Sequence, residues 1–339
     1  MAIENNLLDE KRADINKIIE LIDVNDNIVV LTHKNPDGDA IGSAYGIIDY
    51  CKSRGKTVNG FIPFSYPSNL KFINYGNVIQ SFEENVHSVI IEEAELFIIV
   101  DLNSAGRVGN IESHLLKSNA SKIMIDHHLG PEDFCDYYYV YPNAASAGQL
   151  VYEIISSDKE YSLSKEAAQA IYTAIMTDTG SFRFSQTNAD VHRIVVALLE
   201  SGANPVEAYD KVYNSFPISA MRLKGRVYEN IETYFNDSVC VSIIKRLDYK
   251  ETGASEEQTE GIVESLLAVD TVKIAVLLME EENGEIRSSF RAKIGYDVRQ
   301  IAVFLDGGGH KQAAGARVKN MTIDTLKNKI IEYIENNGY

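Results

Sequence analysis

The chain has 339 residues, of which 45% are hydrophobic and 24% charged, a composition typical of globular rather than disordered proteins. Its formal charge of −17 argues against duplex DNA as a partner, because DNA binding gains affinity from basic surfaces. The length indicates two domains, since single hydrophobic cores stop growing near ~250–300 residues. Three widely spaced cysteines, Cys51, Cys135 and Cys240, exclude a disulfide framework or a thiolate zinc site and favour a reducing compartment.

The N-terminal residues 1–20 alternate charged and apolar side chains, without the basic start and apolar run of a signal peptide. The longest apolar runs, such as residues 274–279 and 96–100, are too short to cross a bilayer. We therefore expect a cytoplasmic protein with no membrane partner.

Strand and helix patterns alternate along the first half of the chain. Short continuous apolar runs are typical of parallel strands that are buried on both faces. The predicted elements are strands at 27–32, 56–61, 96–100 and 122–125 and helices at 40–54 and 164–177. This alternation predicts an α/β fold with a doubly wound, mainly parallel sheet.

The second half begins with an amphipathic helical stretch at about 189–234, which Gly202, Pro205 and Pro217 interrupt and which we interpret as a linker. A smaller α/β unit follows, with predicted strands at 239–244, 273–278 and 286–291, a glycine run at 307–309 and a final helix at 323–336. The predicted domains are 1–190, a helical linker at 191–234, and 235–339.

Aspartate and histidine residues follow three of the predicted strands. The metal-ligand candidates are His33, Asp37 and Asp39 after the first strand, Asp101 after 96–100, His127 after 122–125, and Asp178 at the end of the helix 164–177. One such residue alone would be an ordinary turn former, helix cap or core side chain. Their joint occurrence at three strand ends favours a metal site, because ligands bind at the carboxyl ends of strands in open α/β sheets.

Six imidazole and carboxylate donors, with no cysteine among them, suit Mn²⁺ or a similar ion better than structural zinc. They are too many for one catalytic ion that keeps open positions. They fit two ions ~3.5–4 Å apart that share one carboxylate. We therefore predict two divalent ions, with Mn²⁺ preferred and Mg²⁺ or Co²⁺ as alternatives.

These residues resemble the motifs of the DHH phosphoesterase superfamily. The matching segments are residues 33–43, Asp101 with Arg107, Asp126-His127-His128, and residues 177–180. Ser289-Phe290-Arg291 and the segment 307–315 resemble the DHH-associated C-terminal domain. Within the superfamily the chain is similar to the stand-alone oligoribonucleases, many of which also remove the 3′-phosphate of adenosine 3′,5′-bisphosphate.

The resemblance implies roles for individual residues. One ion would be held by His33, Asp37 and Asp101, and the other by Asp39, Asp101, His127 and Asp178. His128 would face the substrate phosphate or the leaving oxygen, with Asp126 and Arg107 as further catalytic residues. The expected substrate-binding residues of the second domain are Ser289, Arg291, Gly307, Gly308, Gly309 and His310. Glycines let backbone N–H groups approach a phosphate, and arginine suits a forked phosphate contact.

Four positions depart from the family pattern, which has other residues where Ala147, Gln149, Ala292 and Asp306 stand here. None of the four is a predicted metal ligand, so the departures bear on substrate preference.

The resemblance implies hydrolysis of very short oligoribonucleotides or small nucleotides, with a homodimer left open as an assembly. The nearest alternative is a phosphodiesterase for a cyclic or linear dinucleotide of the c-di-AMP or pApA type. A family II pyrophosphatase is disfavoured by the Gly-Gly-Gly-His ending, and a long-chain exonuclease by the absence of an appended nucleic-acid-binding module. A non-catalytic nucleotide sensor is disfavoured because all six predicted ligands are present.

Overall fold

The computed structural model describes residues 11–259 and 261–338. The chain divides into two compact units at the boundary between Ser215 and Phe216. This boundary lies inside the stretch 191–234, so the helices before it are part of the first unit and the helix after it is part of the second.

The sheet of the first unit has six strands: β1 Asn27–Leu31, β2 Thr57–Ile62, β3 Ile79–Ser81, β4 Leu96–Val100, β5 Ser121–Asp126 and β6 Tyr137–Val140. Their order is β3-β2-β1-β4-β5-β6, and every neighbouring pair is parallel. The predicted doubly wound parallel sheet is confirmed. The strand order reverses between β1 and β4, and this switch point is where such sheets open a crevice for ligands.

Both faces of this sheet are covered. Along β1, Ile28 and Val30 belong to one apolar cluster, whereas Val29 and Leu31 belong to another. The helices are α1 Ile15–Val24, α2 Gly38–Ser53, α3 Glu84–Glu92, α4 Glu112–Lys117, α5 Ala147–Ser157, α6 Lys165–Asp178, α7 Ala189–Glu200 and α8 Pro205–Tyr213, with 3₁₀ turns at Ser68–Ile73, Tyr75–Asn77 and Ala105–Ile111. Burial on both sides explains the unbroken apolar strands seen in the sequence.

Helices α2 and α6 pack closely against each other. Gly42 makes this approach possible, because a Cβ atom at that position would collide with the backbone carbonyl oxygen of Ala170. The contact places the start of α2 beside the end of α6, where the predicted ligands of both helices lie.

The second unit contains a mixed sheet of β7 Glu232–Tyr234, β8 Val239–Ile244, β9 Ile274–Glu280, β10 Ile286–Ala292, β11 Gly308–Gly309 and β12 Ala313–Val318. The order is β11-β12-β10-β9-β8-β7, and β8 and β9 form its parallel pair. Its helices are α9 Ile218–Glu229, α10 Arg246–Thr252, α11 Ile262–Leu266, α12 Arg299–Phe304 and α13 Ile323–Asn336, with a 3₁₀ turn at Glu256–Thr259. A second α/β unit was predicted, and this is confirmed.

Within residues 11–259 and 261–338, no helix is long and apolar enough to cross a membrane. The three cysteines are buried and free.

Candidate metal centre

The loop after β1 and the first turn of α2 carry the first three predicted ligands. His33 is buried, and its Nδ1 lies 2.9 Å from the carbonyl oxygen of Lys34. Asp37 caps α2, because its Oδ1 accepts hydrogen bonds from the backbone N–H groups of Asp39 and Ala40, at 3.0 Å each. The bonds to the loop and the helix end fix the direction of both side chains.

Asp39 is almost completely buried, with 1% of its surface exposed. Its two carboxylate oxygens accept from the first backbone N–H groups of α5, at 2.7 Å from Ala147 and 2.8 Å from Gly148. The positive end of that helix therefore compensates part of the negative charge of Asp39.

Asp101 lies at the centre of the cluster, immediately after β4. Its φ of +58° places it in the left-handed region, which is uncommon for a residue other than glycine. Its backbone N–H donates to the carbonyl oxygen of Ile125 at 3.1 Å. Its Oδ2 lies 3.2 Å from Nε2 of His33. The left-handed turn thus directs a buried carboxylate toward His33.

His127, after β5, connects Asp101 with the two remaining carboxylates. Its Nε2 lies 3.2 Å from Oδ2 of Asp178, 3.6 Å from Oδ1 of Asp101 and 3.8 Å from Oδ2 of Asp39. Asp178 is the last residue of α6. The end of α6 packs tightly on the loop after β1, since a Cβ at Gly38 would lie 2.5 Å from the Thr177 side chain.

The structure brings all six predicted ligands together. The ligand atoms of His33, Asp37 and Asp101 lie within 4.8 Å of one another, and the same holds for Asp39, His127 and Asp178. A third group at this spacing joins Asp101 and His127 to His128. Asp101 and His127 are each members of two groups, so these two residues connect the three groups.

The pKa values show how strongly these groups interact. Burial, followed by the charges of Asp101 and Asp178, raises the pKa of Asp39. Burial also raises the pKa of Asp178 to about 7. For His127, burial is the largest single effect and opposes protonation, but the hydrogen bond to Asp101 together with the negative charges of Asp178, Asp101 and Asp126 outweighs it and raises the pKa to about 9. A bound cation offsets the repulsion between carboxylates that lie this close together, so the donor set fits a divalent metal.

His128 lies between an acidic side chain, Asp126, and a basic one, Arg107. Its Nδ1 lies 2.7 Å from Oδ1 of Asp126, and its Nε2 lies 3.3 Å from Nη1 of Arg107. A guanidinium can only donate, so Nε2 accepts from Arg107 and Nδ1 carries the proton. The second oxygen of Asp126 is buried and has no hydrogen-bond partner among the described residues.

In the second unit, Arg291 and Ser289 lie two residues apart on β10 and so share one face of the sheet. Ser289 pairs in register with Gly315, which pairs in turn with Gly308. Nε of Arg291 donates to Oε1 of Glu264 at 2.8 Å. The sequence did not predict Glu264 as a partner, and an incoming phosphate would compete with it.

The glycine run is a strand paired with β12 rather than a flexible turn. A Cβ at Gly307 would collide with Gly315, and one at Gly309 would lie 2.6 Å from the carbonyl oxygen of Ala313. Gly308 faces open space. His310 is exposed, and its backbone N–H donates to Ala313 at 2.7 Å. Two of the three glycines are therefore required by strand packing, and Gly308 leaves its backbone accessible.

Residues 27–175 match the model of the DHH family, N-terminal domain, and residues 236–336 match that of the DHHA1 domain. The chain belongs to the DHH family. Its members are phosphoesterases, so this DHH protein is a metal-dependent enzyme of that class.

Several curated relatives are similar over most of their length. The bifunctional oligoribonuclease and PAP phosphatase NrnA of Thermus thermophilus is 29% identical over 311 residues, 91% of this chain and 89% of the relative. The Bacillus subtilis protein of the same name is 26% identical, with coverage of 89% and 92%. The cyclic-di-AMP phosphodiesterase PdeA of Listeria monocytogenes is 24% identical over 93% of this chain, but the chain spans only 48% of it.

Solved structures share the fold. An exopolyphosphatase-related protein from Bacteroides fragilis superposes with a TM-score of 0.89 at 30% identity, over 95% of this chain and 96% of the other. Exonuclease RecJ bound to manganese superposes with a TM-score of 0.55 at 13% identity, over 95% and 94%.

Among the departures from the family pattern, Ala147 and Gln149 lie at the start of α5, beside the candidate ligand Asp39. Ala147 reaches Asp39 through its backbone N–H, so this contact does not depend on its side chain. Gln149 accepts from the N–H of Ala145 at 2.8 Å and donates to Glu153 at 2.9 Å. Sequence reasoning missed the backbone donors of Ala147 and Gly148, because a backbone N–H carries no residue-type signal.

Metal affinity of this DHH centre should increase as the pH rises from about 6 to 9. An ion requires Asp178 to be ionised and His127 to be neutral, and their pKa values are about 7 and about 9. Binding should therefore release protons. Titration calorimetry of Mn²⁺ in two buffers with different ionisation enthalpies measures this release. Equal heats in both buffers, with an affinity independent of pH, would contradict the expectation.

Proposed function

We propose that this DHH protein hydrolyses very short oligoribonucleotides to mononucleotides and also removes the 3′-phosphate of adenosine 3′,5′-bisphosphate. The observation that carries the proposal is the pair of three-donor groups at the switch point of the sheet. Its support is the similarity to relatives named oligoribonuclease and PAP phosphatase over about nine-tenths of both chains. A phosphodiester and a phosphomonoester both present non-bridging anionic oxygens to such a centre.

The centre is proposed to hold two divalent ions, with Mn²⁺ preferred and Mg²⁺ or Co²⁺ as alternatives. His33 and Asp37 would bind one ion, Asp39, His127 and Asp178 the other, and Asp101 both. Two such ions supply a nucleophile near neutral pH and offset the charge that develops on the phosphoryl group. The manganese-bound RecJ structure has the same fold, which is in line with this metal preference.

His128 is proposed to act on the reacting phosphate. Its Nδ1 proton is held by Asp126 and its Nε2 is directed at Arg107, so the ring has one fixed orientation. Arg107 can bind an anionic oxygen of the substrate with its remaining N–H groups, because guanidinium has five donors. Asp126 is a positioning residue that keeps the imidazole in the tautomer described above.

The DHHA1 unit is proposed to bind a substrate phosphate through Arg291, His310 and the backbone at Gly308. Ser289 and Arg291 lie on one face of β10, and Ser289 is in register with Gly315 and Gly308. Arginine forms forked contacts with phosphate, and the open side of Gly308 leaves room for a ligand.

Arg291→Ala is therefore expected to raise KM for short substrates and to leave the metal content unchanged. The loss of one charge-assisted hydrogen bond costs ~1.5–3 kcal/mol, so kcat/KM should fall roughly ten- to a hundredfold. His310→Ala should act in the same direction. Arg226→Ala is the matched control, since Arg226 is also paired with a glutamate, Glu251, outside the proposed site.

Steady-state kinetics with a diribonucleotide and with a bis-aryl phosphate test this assignment. The generic ester needs only the metal centre, so the Arg291 and His310 variants should hydrolyse it almost normally. Equal loss of both activities would show that these residues support the fold or the metal centre and would remove them from substrate binding.

The second candidate is a phosphodiesterase for cyclic or linear dinucleotides. The observation in its favour is the similarity to PdeA, which extends over nearly the whole of this chain. The NrnA-type relatives are more similar to the chain and match it in length, so we give precedence to oligoribonucleotides.

A substrate panel tests the proposal. Di- to pentaribonucleotides, adenosine 3′,5′-bisphosphate, cyclic di-AMP, pApA and pyrophosphate are compared in Mn²⁺, with and without chelator. We expect the highest kcat/KM for the short oligoribonucleotides, complete loss of activity on chelation and recovery with Mn²⁺. Preferential cleavage of cyclic di-AMP would favour the second candidate, and full activity without metal would contradict both.

We further propose no binding of duplex DNA, on account of the net charge of −17, and a cytoplasmic location, on account of the three free cysteines. Light scattering, which gives the molar mass in solution, measures whether two copies associate.

A further inference from the structure

The segment after Asp178 has an unusual backbone. Gly180, Ser181 and Phe182 are three consecutive residues with positive φ, at 55°, 60° and 64°. The side chains of L-residues make this conformation costly for every residue other than glycine. Strain of this kind persists only where surrounding contacts impose it.

Thr179 imposes the turn. It is completely buried, and its Oγ1 donates to the carbonyl oxygen of Ile175 at 2.6 Å and accepts from the N–H of Phe182 at 3.0 Å. Its carbonyl oxygen accepts from the N–H groups of Arg183 and Phe184, at 2.9 and 3.0 Å. These hydrogen bonds hold residues 180–184 against the end of α6. The segment begins two residues after Asp178.

Phe184 is exposed on this turn. One face of its ring lies on Gly180, where an added Cβ would be 2.5–2.8 Å from three ring carbons. Phe184 as a whole is 53% exposed, and no other aromatic ring of the described residues stacks on it. Gly180 is two residues from Asp178, at most about 7 Å along the chain. An aromatic face thus stays open beside the metal centre.

Arg183 is the cation next to this ring. Its Nε donates to the carbonyl oxygen of Gly180 at 2.6 Å, which leaves the two terminal nitrogens of the guanidinium. No carboxylate of residues 11–259 or 261–338 lies within ion-pair distance of it. In a chain with 49 acidic residues, an arginine without an acidic partner beside a metal centre is available to an anion.

We propose that residues 180–184 form a nucleotide platform, in which Phe184 stacks on a nucleobase and Arg183 binds a phosphate oxygen of the same nucleotide. Aromatic rings stack on any base, because every base has a π-face. The strained turn keeps the ring from folding back into the core, where an apolar side chain is more stable. This inference rests on the proposed function and deepens it, since it identifies the group that recognises the nucleoside.

The chain contains no tryptophan, so Phe184→Trp introduces a single tryptophan at the platform, whose fluorescence can be excited apart from that of the 19 tyrosines. The Mn²⁺-loaded variant is titrated with AMP, which the proposed reaction produces and does not consume, and with ribose 5-phosphate, which lacks the base. We expect quenching by AMP, with at least tenfold weaker binding of ribose 5-phosphate. Equal responses to the two ligands, or no response to AMP, would overturn the assignment.

The phosphate contact is tested with adenosine as a third ligand. AMP should bind Phe184→Trp about tenfold more tightly than adenosine, and the additional change Arg183→Ala should reduce this difference, with the remainder due to the metal centre. A difference of unchanged size in the double variant would overturn the role of Arg183. Leu116→Trp is the matched control. Leu116 is 51% exposed and lies just before the amino end of β5, whereas the metal centre lies at the carboxyl ends of the strands. AMP should not quench it.

Kinetics complete the test. Phe184→Ala should lower kcat/KM for a diribonucleotide by about ten- to a hundredfold, and Phe184→Tyr should restore it. For a dinucleotide analogue that lacks the stacked base, Phe184→Ala should have little effect, whereas an equal loss on both substrates would indicate a structural role. If quenching requires the nucleobase but the protein hydrolyses no oligoribonucleotide, the proposed function alone is contradicted. If hydrolysis is normal but neither quenching nor kcat/KM depends on the nucleobase, the platform alone is contradicted.

Discussion

Asp101→Ala is expected to abolish hydrolysis and to deplete both metal ions. Asp101 contacts His33 at 3.2 Å, lies 3.6 Å from His127, and belongs to two of the three donor groups. The ions contribute several kcal/mol to transition-state stabilisation, so kcat/KM should fall by at least about three orders of magnitude. Metal analysis of the purified protein and kinetics with a diribonucleotide measure the two effects.

Two further variants make this result interpretable. Asp101→Asn preserves the left-handed backbone, which asparagine tolerates, and removes only the charge, so it separates metal loss from misfolding. His33→Ala removes a donor of one group and should leave one ion in place. If Asp101→Ala and Asp101→Asn both keep two ions at wild-type occupancy, Asp101 does not bridge.

His128→Ala is expected to lower kcat by about 10²–10⁴-fold, the usual contribution of a positioned acid–base group, while both ions stay bound. The ring lies 2.7 Å from Asp126 and 3.3 Å from Arg107, and it is partly exposed. His114→Ala is the matched control, since His114 is also paired with a carboxylate, that of Glu84 at 2.9 Å.

Asp126→Asn tests the orientation of the same ring. An amide can turn its NH₂ group toward Nδ1, which would favour the other tautomer and disrupt the contact with Arg107. We expect kcat to fall with KM and metal content little changed. Loss of metal in either variant would mean that His128 is a ligand, in line with its place in the third donor group.

The sequence predicted those parts of the fold that a strong apolar signal defines. Residues 96–100 and 239–244 were predicted as strands with the bounds that the structure shows, because the first is buried and apolar throughout and the second nearly so, with Ser242 as its one polar residue. The strands Ile79–Ser81 and Tyr137–Val140 were missed, since both are short and lie at the edges of the sheet. Helix Ala147–Ser157 was missed although its first N–H groups hold Asp39.

The candidate site was predictable to the extent that its chemistry resides in side chains. Aspartates and histidines at strand ends are visible in a sequence, and parallel strands bring their carboxyl ends together. The left-handed backbone of Asp101, the partner of Arg291 and the exposed ring of Phe184 were not predictable. Each depends on packing against residues that are distant in the chain or on a local turn that many sequences could form.

All six donors lie between His33 and Asp178, within the first of the two compact units. During synthesis the domain nearest the N-terminus emerges from the ribosome and folds first. The nascent chain therefore contains every metal donor before the second unit has been translated. A divalent ion would then bind before the polypeptide is complete, and an incomplete chain that ends near Ser215 would already bind metal.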